Sequence, residues 1–401
     1  MFGSFDLDKT YQYLLISLAF LMPLTVAGAN TIIVIICFLW LFSGNYKAKY
    51  NQIISSKLMI ASIVFYCLHV IGMLWTEDLM WGFHILHKMW YFLLLFPILF
   101  NIVQRKYITY YIFAFLFAIA LTEIVSYLVW FEIIPSFKNA TVANPTPFMS
   151  HISYNPILSF SIYMVLHEIY FNKKLTNLVF SFYSFFAISM TINMFITGGR
   201  AGQVGFFVIL SILIIQIFDK QRIKSILVIF IMIPSIFTTA YLTSDLFQER
   251  VNLGIKEMSK PMVDSKHLTS VGLRIHFAKN SFAVVKQNPI IGVGTGDFPS
   301  EYKKINQINT PQLPNATNPH NMYTLITMQL GLIGLVSMLS IFYYQIKLSF
   351  YASNRFIKDV GVTLPLLFLV IMWSDSYLLG HYTSLLFVFF SSFLYKDFEK
   401  S

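Results

Sequence analysis

The chain has 401 residues, of which 57% are apolar, 17% aromatic and only 11% charged, with a formal net charge of +10. Soluble domains carry about 25% charged residues, so this composition, at a mean hydropathy of +0.66, excludes a soluble globular protein, a disordered chain and a disulfide scaffold. It describes an all-α polytopic membrane protein whose basic excess speaks for orientation in a phospholipid bilayer, not for binding nucleic acid.

A bilayer core takes about 20 apolar residues per helix. In chain order, apolar stretches lie near 11–28, 30–43, 57–75, 82–102, 107–133, 154–171, 175–197, 202–218, 224–242, 321–346, 359–374 and 380–395, which predicts about twelve transmembrane helices in a single domain over 1–401. Ala27-Gly28-Ala29 imitates a signal-peptide cleavage site, but Asp6 and Asp8 around Lys9 are wrong for a positive leading segment, so the first span reads as an uncleaved helix. Cys37 and Cys67 fall inside apolar runs and carry no redox information.

With the N-terminus inside, the inner segments hold sixteen of the 28 basic residues, among them Lys47, Lys49, Arg105, Lys106, Lys173 and Lys174. The short outer loops hold only Lys138 and Arg200. This asymmetry and the even span count place both termini in the cytoplasm. A long outer loop over 243–320 is exempt from the charge rule. The room for chemistry is therefore on the outer face.

Lys88 stands inside the fourth span, with His84 and His87 on the same helical face. A charge there is expensive and faces a cavity or marks function, unless it snorkels to the headgroups. Arg200 lies in Thr197-Gly198-Gly199-Arg200-Ala201-Gly202, an outer turn that opens a helix. Gly199 and its neighbours let a backbone approach a ligand, and the helix start and the arginine both suit a phosphate. An ordinary glycine turn with its arginine among lipid headgroups is the plainer alternative.

Arg274 follows in the long loop, where Leu273, Phe277 and Val284 recur at helical spacing. They predict an amphipathic helix lying against the membrane and ending at Asn288-Pro289; a solvated surface arginine is the alternative. Gly292-x-Gly294-x-Gly296 reads as a turn. In Asn318-Pro319-His320-Asn321, Asn318 is a good N-cap and Pro319 a good first residue, which places His320 in the first turn of the tenth span. The positive helix end there favours the neutral imidazole that a general base needs. Asp375, between spans eleven and twelve, is a potential partner for one of these cations. No outer segment has metal-ligand spacing, and Asp6-x-Asp8 lies on the wrong side.

The Gly-Gly-Arg-Ala-Gly turn, the Leu-Arg-Ile segment followed by Asn288-Pro289-Ile290-Ile291-Gly292-Val293-Gly294, and Pro319-His320-Asn321 before a Gly-Leu-Ile-Gly-Leu helix resemble one family, the O-antigen ligases. These stand within a superfamily that includes O-antigen polymerases and bacterial protein O-oligosaccharyltransferases. In sequence the likeness is specific over about residues 195–335. It implies a glycosyltransferase-C-like bundle in the bacterial inner membrane, used in lipopolysaccharide biosynthesis. Its partners would be an undecaprenyl-diphosphate-linked glycan and a lipid A-core acceptor, and its site would be periplasmic, with no cofactor and no metal. The family's paired arginines correspond to Arg200 and Arg274, its histidine to His320, and an acidic residue near the end of the chain to Asp375.

The chemistry of these residues suits such a transfer. A departing lipid diphosphate needs cations where negative charge builds, from Arg200, Arg274 and Lys88, while His320 takes the proton of an acceptor hydroxyl. A single displacement inverts the anomeric centre. Two other readings stay open. A polymerase or protein O-oligosaccharyltransferase uses the same donor with another acceptor. A lipid-linked glycan transporter would carry its polar groups near the midplane, where Glu123, Glu132 and Glu168 are the obvious carboxylates near spans.

Overall fold

The computed structural model describes residues 6–138, 140–259 and 270–398. Among these, every regular element is a helix, with one isolated β-bridge between Thr141 and Asn144.

Helix α1 (Leu7–Leu21) opens on an Asp6 cap and packs with α2 (Val26–Phe42), which bends through 115° into α3 (Tyr46–Ser55). Helix α4 (Lys57–Gly72) starts at a Ser56 cap, and α5 (Leu79–Trp90) at an Asp78 cap. The latter continues through a π turn at Tyr91–Leu95 into α6 (Phe96–Ile102). Pro97 lacks the N–H that would bond one turn back, which accounts for the widened turn just before it. The long α7 (Ile108–Trp130) follows, then an irregular connection to α8 (His151–Phe171). Next come α9 (Asn177–Phe195), α10 (Arg200–Ile217) and α11 (Arg222–Thr243). The expected long loop contains α12 (Asp245–Ser259), α13 (Ser270–Gln287) and α14 (Phe298–Asn309). The chain closes with α15 (Met322–Ser349), α16 (Arg355–Ile371) and α17 (His381–Leu394).

Seven helical stretches are long and apolar enough to cross a membrane, or eight if the bent α2–α3 pair is one span. The other four of the twelve expected spans fall on α1, α8, α16 and α17, which are helices but short or rich in polar residues. Burial explains two of them. Helix α8 is buried continuously from Tyr154 to Val165 and α17 from Thr383 to Leu394. A helix sheathed by other helices meets no lipid, so Ser, Asn and Tyr are tolerated where they find partners. Helix α11 is the opposite case, burying only Ser225 and Ala240 and turning Ile226, Leu227, Phe230 and Ile231 outward.

The helices alternate in direction, so the bundle has two polar rims. One gathers the starts of α1, α4, α7, α9 and α16. There the Gln12 amide donates to the Ile102 carbonyl, and the half-buried Lys396 ammonium donates to the Asn101 and Val103 carbonyls. The other rim gathers the starts of α5, α8, α10, α15 and α17. At it the Met322 N–H bonds to the Met372 carbonyl and the Tyr382 hydroxyl to the Phe148 carbonyl. All the residues singled out for chemistry belong to elements of this second rim.

Helix α15 is broken at Gly331, where φ is +63° and ψ −160°. The break frees backbone groups that must find partners in a bilayer. The 289–294 segment supplies them: Val293 and Gly294 donate to Met328 and Gln329, while Leu332 and Ile333 donate to Pro289 and Ile290. A Cβ on Gly331 would lie 2.2 Å from the Ile290 carbonyl, and one on Gly292 2.4 Å from that of Gln329. Both residues also have positive φ, so only glycine fits on either side of this clasp. The glycine-rich segment is thus a turn, as its sequence predicts, and one anchored in the bundle. Asp297 fastens its other end by accepting from the Glu77 and Asp78 N–H groups.

Candidate functional site

His320 does not occupy the first turn of α15. The helix starts at Met322 and its cap is Asn321, whose side chain accepts from the Thr324 N–H at 2.9 Å. His320 stands before the cap, in a left-handed conformation with φ +50°. Asn318, expected as the cap, serves otherwise. Its Oδ1 accepts from the His320 N–H at 2.9 Å and from the Ser376 hydroxyl at 2.9 Å, tying the histidine loop to the α16–α17 connection. The Asn321 amide adds a bond to the Trp373 carbonyl.

This tie brings His320 to Asp375, with Nδ1 and Oδ1 3.3 Å apart. A carboxylate accepts, so Nδ1 carries a hydrogen, and in the neutral ring the lone pair is on Nε2. Asp375 is held in turn by the Ser376 N–H at 2.7 Å. The imidazole is 41% exposed while the carboxylate beneath it is 17% exposed. The ring is stacked on Phe277, with centroids 6.3 Å apart. The control on His320 is therefore a carboxylate partner, in place of the helix end expected from the sequence.

Phe277 belongs to α13, as does Arg274 one turn earlier. The predicted amphipathic helix is present, but its apolar face turns inward: Phe277 and Val284 are buried, and α13 packs on α14 and α15 instead of leaving this face to lipid. Arg274 is half-buried beside Tyr377, whose hydroxyl is buried without a hydrogen-bond partner among the described residues. Burial raises the pKa of that phenol and the Asp375 charge raises it further, while the Arg274 charge acts against them. Arg274, Asp375 and Tyr377 therefore share one electrostatic neighbourhood at His320.

Arg200 is the first residue of α10, as the glycine turn predicts. The glycines serve a different end from the one expected. A Cβ on Gly199 would lie 2.5 Å from the His151 carbonyl, and one on Gly202 2.4 Å from Asn155. Their small size lets α10 close onto α8, so the close approach is to the protein's own backbone. Buried amides fix the turn, with Asn155 donating to the Gly199 and Met194 carbonyls and Gln203 to those of Thr197 and Met194. Further down, Gly205 packs against Leu367 and Ile371, which sets the start of α10 beside the end of α16 that leads to Asp375.

Lys88 lies on α5, half-buried, with His84 and His87 exposed on the same side. It has no hydrogen bond or ion pair among the described residues, and α5 packs against the Tyr377–Leu379 turn. Ser376 and Tyr377 were not singled out from the sequence, while Asn318 was read only as a helix cap and Phe277 only as part of an apolar helical face. Adjacency to Asp375 is the one signal that could have raised Ser376 and Tyr377. Among the described residues no three His, Cys, Asp or Glu side chains converge as a metal site.

An all-helical bundle with several membrane-capable helices, carrying a paired histidine and two arginines at one rim, is the frame of a multi-pass membrane protein. Residues 185–339, a stretch of less than half of the chain, match the family model described as O-Antigen ligase. It contains Arg200, Arg274 and His320, while Asp375 and Lys88 lie outside it. The chain is also 27% identical over 160 residues to a Haemophilus influenzae protein described as uncharacterized, a stretch covering 38% of this chain and 39% of that protein.

Proposed function

We propose that the protein is an O-antigen ligase that transfers a glycan from undecaprenyl diphosphate to the lipid A-core oligosaccharide. It would act in the bacterial inner membrane with both termini cytoplasmic, about twelve spans, and the site rim, including the 243–320 segment, on the periplasmic side. The observation that carries this reading is the His320–Asp375 pair, beside Arg274 and on the rim where Arg200 opens α10.

The steps follow from the residues. His320 Nε2 accepts the proton of the acceptor hydroxyl as that oxygen attacks the anomeric carbon. Asp375 holds the ring and stabilises the imidazolium that forms. The sugar–phosphate bond breaks, and its electron pair leaves on the lipid diphosphate, where Arg200 and Arg274 meet the growing charge, with Lys88 deeper along α5. One displacement inverts the anomeric centre, and no metal enters it.

The test is reconstitution of purified protein with a lipid-diphosphate glycan and the lipid A core. Inverted product on the core that disappears in His320→Ala supports the proposal. A retained linkage, or undiminished product from His320→Ala, sinks it. Elongated lipid-linked glycan without core product would make the protein a polymerase, and glycan on a protein acceptor would make it an O-oligosaccharyltransferase.

A further inference from the structure

A third arginine meets the Gly198–Arg200 turn. Arg250 is carried on α12, and one of its terminal nitrogens lies 3.8 Å from the point where a Gly198 Cβ would sit. The His151 ring lies 3.9 Å from the same point through Cδ2, the carbon bonded to Nε2. Arg250 Nε is buried without a hydrogen-bond partner, and Arg250 forms no ion pair among the described residues. The neighbouring Glu249 is exposed. A guanidinium partly withdrawn from water with donors unspent is costly unless something accepts from it.

The hydrogen bonds around it fix what His151 offers. Asn144 Oδ1 accepts from the Gly198 N–H at 3.1 Å, so the other end of that amide is the NH2 group. This group lies 2.6 Å from His151 Nδ1, which must accept from it. The imidazole hydrogen is therefore on Nε2, which has no partner among the described residues. Burial, with the Arg250 charge, lowers the His151 pKa below the usual imidazole range and keeps the ring neutral. Arg250 and His151 thus present donors and no free acceptor, at a turn where a helix start already favours negative charge.

We propose that Arg250 and His151 form a phosphate subsite beside Arg200 that holds the diphosphate of the lipid-linked donor, with Arg250 as the binding cation. This rests on the donor chemistry proposed above and adds two residues to it. Arg250 reaches the site from α12, so this part of the 243–320 segment contributes to the donor side, whereas α13 contributes Arg274 and Phe277 beside His320.

The experiment is equilibrium binding of glycan-free polyprenyl diphosphate to the full-length protein in zwitterionic nanodiscs, for wild type, Arg250→Gln, Arg250→Lys, His151→Gln, His151→Phe and, as a control at an exposed residue of the opposite rim, Lys174→Gln. Wild type and Lys174→Gln are expected to bind equally, Arg250→Gln about tenfold or more weakly, and Arg250→Lys in between. His151→Gln keeps a donor and should bind better than His151→Phe. Wild-type affinity in a folded Arg250→Gln overturns the inference and leaves the wider reading intact. No binding by wild type overturns both. If Arg250→Gln loses affinity for phosphatidylglycerol as strongly as for the diphosphate, the turn is a headgroup contact and the inference fails.

Discussion

Among the described residues there are two His–Asp pairs, one at each rim, and they differ in what surrounds them. At the rim opposite the candidate site, His167 Nε2 lies 3.0 Å from Asp359 Oδ2, with the two side chains only 3% and 10% exposed. Arg355 donates to the same carboxylate at 3.2 Å and to the Gln216 carbonyl at 2.9 Å. The His167 ring is enclosed by Phe171, Phe356 and Tyr163, and its other nitrogen is buried without a partner. No substrate can reach that nitrogen, so the pair can only join α8 to α16. At the site rim, His320 keeps one ring nitrogen on its carboxylate and leaves the other open. The same two residue types are a clamp where aromatic rings close over them and a candidate acid–base unit where one face stays exposed. Access and neighbouring charge separate the two.

The largest effect should come from His320→Ala. Its transfer rate should fall about 10²–10⁴-fold, the usual contribution of a positioned base, with thermal stability unchanged. A variant that loses stability in proportion to activity would make this pair a clamp as well. Asp375→Asn should lower kcat by about 10²-fold, the lower end of that range, because the ring stays in place while its tautomer is no longer enforced. A change confined to KM would break that assignment.

Asp359→Ala should do the reverse. Removing the carboxylate takes the counter-charge from Arg355 and the partner from His167, a loss of about 3–5 kcal/mol for a fully buried pair and less here because Arg355 is half-exposed and keeps its bond to the Gln216 carbonyl. The melting temperature should drop, with activity per folded molecule retained. Gly331→Ala forces a left-handed conformation worth about 1–3 kcal/mol of strain and a collision with the Ile290 carbonyl. It should loosen the clasp and lower both stability and turnover. Incubation with a chelator should have the smallest effect, leaving the transfer rate unaltered. Restoration by added divalent cation after such treatment would contradict the proposed metal-free mechanism.

Most helices were legible because apolar runs with basic flanks leave few arrangements in a bilayer. The local setting of two candidate residues was legible: Arg200 does open α10, and α13 does carry Arg274. What failed was the local start of α15. Asn318 and Asn321 are equally good caps, and Pro319 favours the earlier one. The decision falls to Asn321, whose side chain caps Thr324, while Asn318 is taken by Ser376, a residue 58 positions away in the chain. Such a competition cannot be weighed from four consecutive residues. The role of Gly199 was misjudged for a similar reason, since a small residue marks a close approach but not what approaches.

The sequence by itself determined the solvent of this protein and the residues available for chemistry. Hydrophobic burial depends on composition and period, and a charge in an apolar chain is rare enough to stand out. Only the tertiary structure decided partnership. It set Asp375 on His320, Arg274 beside Tyr377, and Arg250 against Gly198. Each pairing depends on distances of a few ångströms between helices far apart in the chain, where hydrogen bonds and electrostatics act and local sequence has no reach.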